Sequence, residues 1–310
     1  MKYLVAGGSG FIGSHLCKEL LNMKNEVICL DNFYTGSEEN NSNLLDNKNF
    51  TLIDHDIINK IDIKVDGIFN LACPASPEKY QLDPIKTSKT SFIGTLNLLE
   101  LANKYKIKFL LASTSEVYGD PKIHPQIESY YGNVNCFGPR ACYDEGKRIA
   151  ETLCYDFHNK YNTEIRVPRI FNTYGPKMML KDGRVVTNFI SRALRNVDIE
   201  IYGNGNQTRS FCYVDDLING LIKIFFKDLK ELNSPINIGN SNEFKIIDLA
   251  KKIIELTGSS SKIKYKKLPF NDPMQRKPDI KKIKKLVKWH PKTELLTGLK
   301  KTIDYIDRVL

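Results

Sequence analysis

Tyr143 and Lys147, in the stretch YDEGK, stand four residues apart, which on a helix puts a phenol and an ammonium on one face. A phenol with an ordinary pKa of about 10 is a poor base at neutral pH, but an adjacent ammonium favours the phenolate, and a phenolate takes a proton from an alcohol. Standing alone, the spacing also fits a pair of surface residues. A second group lies in STSEVYG, residues 113–119, where Thr114 and Glu116 follow the apolar run FLLA at 109–112. A carboxylate at a strand end is either a solvated turn residue or a charge aimed at a ligand. Arg276, in QRKPD, is a third candidate, because a guanidinium suits carboxylate recognition; its other reading is one more charge in a basic stretch.

The stretch AGGSGFIG supplies Gly7, Gly10 and Gly13 at G-x-x-G-x-x-G spacing, and Gly8, Gly10 and Gly13 also satisfy G-x-G-x-x-G. A diphosphate must approach backbone N–H groups at a helix N-terminus, which requires a turn with no side chain in the way. Asp31 ends the next strand 18 residues after Gly13, where a carboxylate accepts both hydroxyl hydrogens of a ribose. Its charge repels a 2′-phosphate, and NFYTG after it holds no arginine, so NAD is favoured over NADP. Phe11 and Ile12 in the loop, Asn32, Thr35 and Gly36 after Asp31, and Leu71 and Ala72 after a later strand complete the expected cofactor set. Asp56 and Ile57, in HDI, either flank an adenine or form a plain polar turn. An oxidised nicotinamide pushes Tyr143 towards the phenolate, as Lys147 does.

These residues need a scaffold, and the chain supplies one. KYLVA at 2–6, EVICL, DGIFNLA at 66–72, FLLA and EIRVPRIF at 164–171 read as strands. Between them lie helical patterns such as FIGSHLCKELLNM and FIGTLNLLELANKY, and a helix from about Tyr143 to Lys160. The alternation predicts an α/β fold, a Rossmann-type doubly wound parallel sheet with a smaller C-terminal α/β substrate-binding lobe. The expected division is an NAD-binding domain over 1–171, to which the chain returns around 211–240 through PINIGN, and a smaller second lobe mainly over 172–310.

The 310 residues, 41% hydrophobic and 26% charged, suit a folded globular chain and argue against disorder. The net charge of +10 is not gathered in a tail. Its densest stretches, KYKKL at 264–268 and RKPDIKKIKKLVK at 276–288, read as solvated helix faces, and no nucleic-acid motif accompanies them. Seven scattered cysteines and five histidines form neither a disulfide framework nor a zinc site, so no metal is expected. No run approaches the ~20 apolar residues that cross a bilayer. The expectation is a cytoplasmic protein with no membrane or nucleic-acid partner.

The glycine loop, Thr114, Tyr143 and Lys147 together resemble the extended short-chain dehydrogenase/reductase family over nearly the whole chain. Within it, LLASTSEVYGDP, GPRACYDEGKR, RIFNTYGP, YGNGNQTRSF and QRKPDI resemble the group that converts UDP-glucuronate to UDP-xylose by C4 oxidation, loss of CO2 and re-reduction. The resemblance implies that Thr114 and Tyr143 contact the C4 hydroxyl, Lys147 the nicotinamide ribose, and Arg276 the reacting sugar as anchor or proton source. It implies Asn172, Asn188, Tyr202, Gln207 and Arg209 for the UDP moiety and Tyr80 for the sugar, and it implies that the second lobe, mainly over 172–310, binds a nucleotide sugar. Ser115 stands where related 4,6-dehydratases carry an acid, so dehydration is disfavoured; Glu116 is not expected in simple 4-epimerases. A 4-epimerase and a non-catalytic dinucleotide sensor are the competing readings. Cys73 and Ser91 depart from the family's serine and asparagine. In relatives the helices around 92–105 and 143–160 form a four-helix dimer interface, so a homodimer is expected.

Overall fold

The computed structural model describes residues 1–181, 183–267 and 275–310. Lys2–Ala6 is apolar without alternation because it is covered on both faces: Tyr3 and Val5 join one core cluster, Leu4 and Ala6 the other. It is central in a parallel sheet whose order is Pro235–Ile238, Ile165–Ile170, Lys108–Leu111, Gly67–Asn70, Lys2–Ala6, Glu26–Asp31, Phe50–Asp54, with Ser113–Thr114 as a short addition beside Ile165–Ile170. The strand order reverses at Lys2–Ala6, where an open α/β sheet leaves a crevice at its carboxyl ends. PINI at 235–238 does pair in parallel with Ile165–Ile170, extending the sheet edge.

One face carries the helices Thr95–Tyr105 and Ala141–Tyr161, packed on each other. Each stops where the chain turns left-handed, at Lys106 (φ 53°) and Asn162 (φ 56°). The helix expected around 92–105 is not regular at its start: Thr90–Gly94 is a π-turn. The other face carries Phe11–Asn22 against Val214–Phe226.

Beyond the sheet edge, Thr208–Ser210 lies between Glu243–Lys245, antiparallel, and Gln275–Arg276, parallel. Ile199–Tyr202 pairs with Ile263–Lys266, and Val185–Leu194 packs on Ile246–Thr257. The basic stretch KYKKL is therefore strand rather than helix face over Ile263–Lys266, where Ile and Tyr alternate with Lys at the strand period; Leu268, its last residue, lies outside the described residues. KKIKKLV at 281–287 is a helix as expected. Trp289, the sole tryptophan, is buried where this region meets Val214–Phe226, its Nε1–H donating to the Asp216 carbonyl at 2.9 Å.

Candidate active site

A cavity of about 1020 Å³ runs from the glycine loop across the carboxyl ends of the strands to the C-terminal elements. Every sequence-expected site residue lines it except Gly36, which packs on the Asp31 carboxylate so closely that a Cβ would lie 2.8 Å from Oδ1.

The dinucleotide end is built by backbone. Gly7 has φ +76° and a Cβ there would meet the Ala72 nitrogen at 2.8 Å; one on Gly13 would meet the Gly7 carbonyl oxygen at 2.0 Å. These two glycines let the loop fold onto the sheet and the helix close onto the loop. Gly10, the residue before the helix, differs: a Cβ there meets only the Gly7 carbonyl oxygen at 3.3 Å. That contact is tight but milder than those at Gly7 and Gly13, and it leaves the space before the helix N-terminus open, as an approaching diphosphate requires. Asp31 accepts from the Ser9 N–H at 2.8 Å and the Phe33 N–H at 2.9 Å, one on each oxygen, and each oxygen keeps a lone pair for a ribose hydroxyl. Burial raises its pKa, the backbone N–H groups of Ser9, Phe33 and Asn32 opposing. Asp56 takes hydrogen bonds from Asn32 at 2.8 Å and the Ile58 N–H, and pairs with Lys86 at 3.3 Å. Burial works against its charge, yet these partners hold its carboxyl below the ordinary value. Asp56 is thus a fixed, ionised part of the cavity wall.

At the reacting end, Thr114 caps the 3₁₀ turn Ser115–Tyr118 by accepting the Glu116 N–H at 3.2 Å, and this turn aims Glu116 into the cavity. Tyr143 and Lys147 lie on one face of Ala141–Tyr161, both almost fully buried. The Lys147 ammonium donates to the Ala112 carbonyl at 2.8 Å and sits 6.0 Å from the Tyr143 ring centre. Burial pushes the Tyr143 phenol well up, with the Cys73 thiol and Glu116 adding to it and a hydrogen bond with Thr114 pulling back. In the protein alone the direction is thus the reverse of that expected from the ammonium, because desolvation outweighs a cation already engaged by a carbonyl. Tyr80 stacks on Tyr143 with ring centres 5.0 Å apart and planes 3° from parallel. Its own hydroxyl is buried with no hydrogen-bond partner among the described residues.

Glu116 is the hub. Its Oε2 accepts from Arg140 Nη2 at 2.5 Å and from Arg276 Nη2 at 3.1 Å, while Arg276 Nη1 donates to the Ser115 carbonyl. Desolvation opposes the Glu116 charge, but the Arg276 and Arg140 guanidiniums overcome it and hold the carboxyl below the usual range. Arg276 comes from a strand 160 residues away, tied down by Gln126, which donates to the Lys277 carbonyl and accepts the Lys277 N–H on its side chain, both at 2.8 Å. Arg140 and Asp144 were not singled out by their sequence context. Both lie in GPRACYDEGKR at helical spacing, a signal that a charge pair faces one side of the helix but not what it faces.

The two departures from the family pattern touch each other: Cys73 Sγ and Ser91 Oγ are 3.3 Å apart. Ser91 also underlies the tyrosine helix, since a Cβ on Gly146 would lie 2.9 Å from its Oγ. Tyr202, Gln207, Arg209, Asn172 and Asn188 also line the cavity, with Gln207 donating to the Tyr202 carbonyl and Arg209 paired in register with Arg276, close enough for its charge to favour ionised Glu116.

Residues 3–239 match the NAD dependent epimerase/dehydratase family. The chain is 53% identical over 302 residues to UDP-glucuronic acid decarboxylase 3 of Arabidopsis thaliana, covering 96% of this chain and 87% of that one. It is 50% identical over 309 residues to UDP-glucuronic acid decarboxylase 1 of Xenopus tropicalis, covering 100% and 73%. Among solved structures it is similar to a UDP-glucuronic acid 4-epimerase from Bacillus cereus in complex with UDP-glucuronic acid and NAD, with a TM-score of 0.91 and 30% identity over the full length of both chains.

Proposed function

The chain belongs to the NAD-dependent epimerase/dehydratase family, and from this and its decarboxylase relatives we infer that it is a carboxy-lyase that converts UDP-glucuronate to UDP-xylose with NAD. The observation that carries the reading is Glu116, held ionised between Arg140 and Arg276 on the cavity wall beside Tyr143. A 4-epimerase needs no such triad, because it leaves the C6 carboxylate in place.

Gly10 and the helix after it would hold the NAD diphosphate, Asp31 the adenosine ribose, and Lys147 the nicotinamide ribose. When bound, NAD supplies a reversible two-electron oxidation at C4, so none is consumed over a turnover. Tyr143 Oη takes the proton of the C4 hydroxyl and later returns it, with the Thr114 hydroxyl orienting the exchange. The lone phenol is a weak base here, and positive charge at the occupied cofactor site lowers its pKa. Once C4 is a ketone, the C5–C6 bond breaks and the C6 carboxylate leaves as CO2, because the C4 carbonyl accepts the electron pair as an enolate. Arg276 anchors that carboxylate, and Glu116, ionised nearby, raises its energy in the ground state. A proton then reaches C5. Stacking by Tyr80 keeps water from the phenol. Asn172, Asn188, Tyr202, Gln207 and Arg209 would bind the UDP moiety.

The working division is a dinucleotide-binding domain over 1–171, rejoined around 211–240, and a sugar-nucleotide lobe over most of 172–310. The reading takes the enzyme as a homodimer, supported by exposed Ile149 and Tyr155 on the helix Ala141–Tyr161 and exposed Phe92 in the π-turn that leads into Thr95–Tyr105. It places the enzyme in the cytoplasm, supported by free thiols at all seven cysteines. No described helix is long and apolar enough to cross a membrane.

Incubation with UDP-glucuronate and NAD, read by mass spectrometry of the nucleotide sugar, tests the function. Release of CO2 with formation of a UDP-pentose is expected. An unchanged mass with inverted C4 would mean an epimerase, and no conversion a sensor.

A further inference from the structure

Asp144 is a buried acid that the roles above leave unused. Its Oδ2 lies 3.9 Å from Arg140 Nε, and its Oδ1 is buried with no hydrogen-bond partner among the described residues. The charged and titratable groups that face it are Arg140, Tyr143 and Glu145 on its own helical segment, Glu116 on the 3₁₀ turn, Arg276 on its strand, Tyr80 from the short helix Pro77–Tyr80, and the Cys142 thiol. Before a substrate arrives, Asp144 and Glu116 already share Arg140 and Arg276, and Arg209, beside Arg276 on the neighbouring strand, acts on Glu116 but not detectably on Asp144. A uronate brings a third carboxylate to the same place, and like charges repel strongly where water is excluded.

Of the three carboxylates, the substrate's must stay ionised to leave as CO2, and Glu116 is held ionised by direct bonds to both guanidiniums. Asp144 has the weakest hold on its charge. It does not line the cavity, its one ion pair is long, and its other oxygen is bare. Burial and the Glu116 charge have already pushed its pKa up to about 7, against Arg140 and Arg276.

On the decarboxylase reading, we propose that Asp144 is a positioning residue that takes up a proton from solvent when the uronate carboxylate enters and releases it to solvent once that carboxylate has gone. Neutralised, it no longer competes for Arg140, so both guanidiniums serve Glu116 and the substrate. The proton that C5 gains is a separate one, and the exchange at Asp144 closes over the cycle.

The experiment is calorimetric titration of NAD-loaded protein carrying Tyr143→Phe, which stalls chemistry, in phosphate and in Tris at pH 8. The difference in heat between the buffers counts protons. UDP-glucuronate should take up roughly 0.5–1 proton per site, and UDP-glucose, which lacks the carboxylate, close to none. Adding Asp144→Asn should abolish the uptake while UDP-glucuronate still binds. No uptake with UDP-glucuronate, equal uptake with both sugars, or uptake that survives Asp144→Asn would each overturn the proposal. The comparison of the two sugars decides it even where the double variant does not fold. Failure of wild-type protein to release CO2 from UDP-glucuronate would instead sink the reading on which the proposal rests.

Discussion

Glu116, half-buried at the cavity wall, and Asp144, buried behind it, are two carboxylates pushed in opposite directions by their partners. Glu116 has direct bonds from two arginines and stays ionised; Asp144 has one distant guanidinium and a bare oxygen, and its pKa rises to about 7. Glu116→Gln keeps the shape but removes the charge, so CO2 release should fall on the order of a hundredfold. UDP-glucuronate affinity should weaken by less than about tenfold, because the guanidiniums remain. Equal losses in rate and affinity would mean that Glu116 only holds the site together. For Asp144 the linkage sign is fixed by its raised folded-state pKa. The folded chain holds this proton more tightly than the unfolded one, so stability is lost as pH climbs from about 4 to 7 and the loss is complete above. Asp144→Asn should therefore melt higher than wild type at pH 8, by on the order of a few degrees, with the gap closing towards pH 5. Scanning calorimetry across that range checks it. Neither Arg140 nor Asp144 could be assigned from sequence, since their meaning lies in Glu116, 24 residues from Arg140, and in Arg276 on a distant strand.

At the level of elements, the strand–loop–helix that opens the chain was legible because its steric demands are local. A glycine turn between an apolar strand and an amphipathic helix has few other uses. The structure separates those glycines by task. Gly13→Ala sets a methyl against two backbone groups, at 2.0 and 2.8 Å, that cannot yield without moving the loop. It should cost about 1–3 kcal/mol of stability and also weaken NAD binding. Gly10→Ala meets one backbone oxygen, at 3.3 Å, so it should cost clearly less stability than Gly13→Ala while NAD affinity drops at least about tenfold. Equal stability losses in the two would argue that Gly10 serves the fold alone. KYKKL was misread because a lysine-rich stretch has weak periodicity, and the alternation of Ile263 and Tyr265 with lysines over four residues is too short to outweigh composition. The start of the helix at Thr90–Gly94 was illegible for another reason: a π-turn leaves no mark in hydrophobic spacing.

For the whole molecule, the cavity depends on segments far apart in sequence meeting at one place, and Arg276 is where they lock. Its backbone belongs to a strand beside Thr208–Ser210, and its side chain grips Ser115 and Glu116 at the end of the main sheet. Arg276→Ala should therefore loosen the site as well as the charge balance. The proposed dimer is a prediction at this same scale. Tyr155, 65% exposed on the helix Ala141–Tyr161, should when changed to glutamate convert a dimer to a monomer in sedimentation velocity, whereas a wild-type monomer would refute the interface. Trp289 gives the molecule a built-in optical gauge. A single indole, packed away from solvent and outside the residues that line the cavity, fluoresces at short wavelength while the C-terminal joint is closed and shifts red when it opens. Emission from this one ring can thus separate variants that empty the pocket from variants that undo the architecture around it.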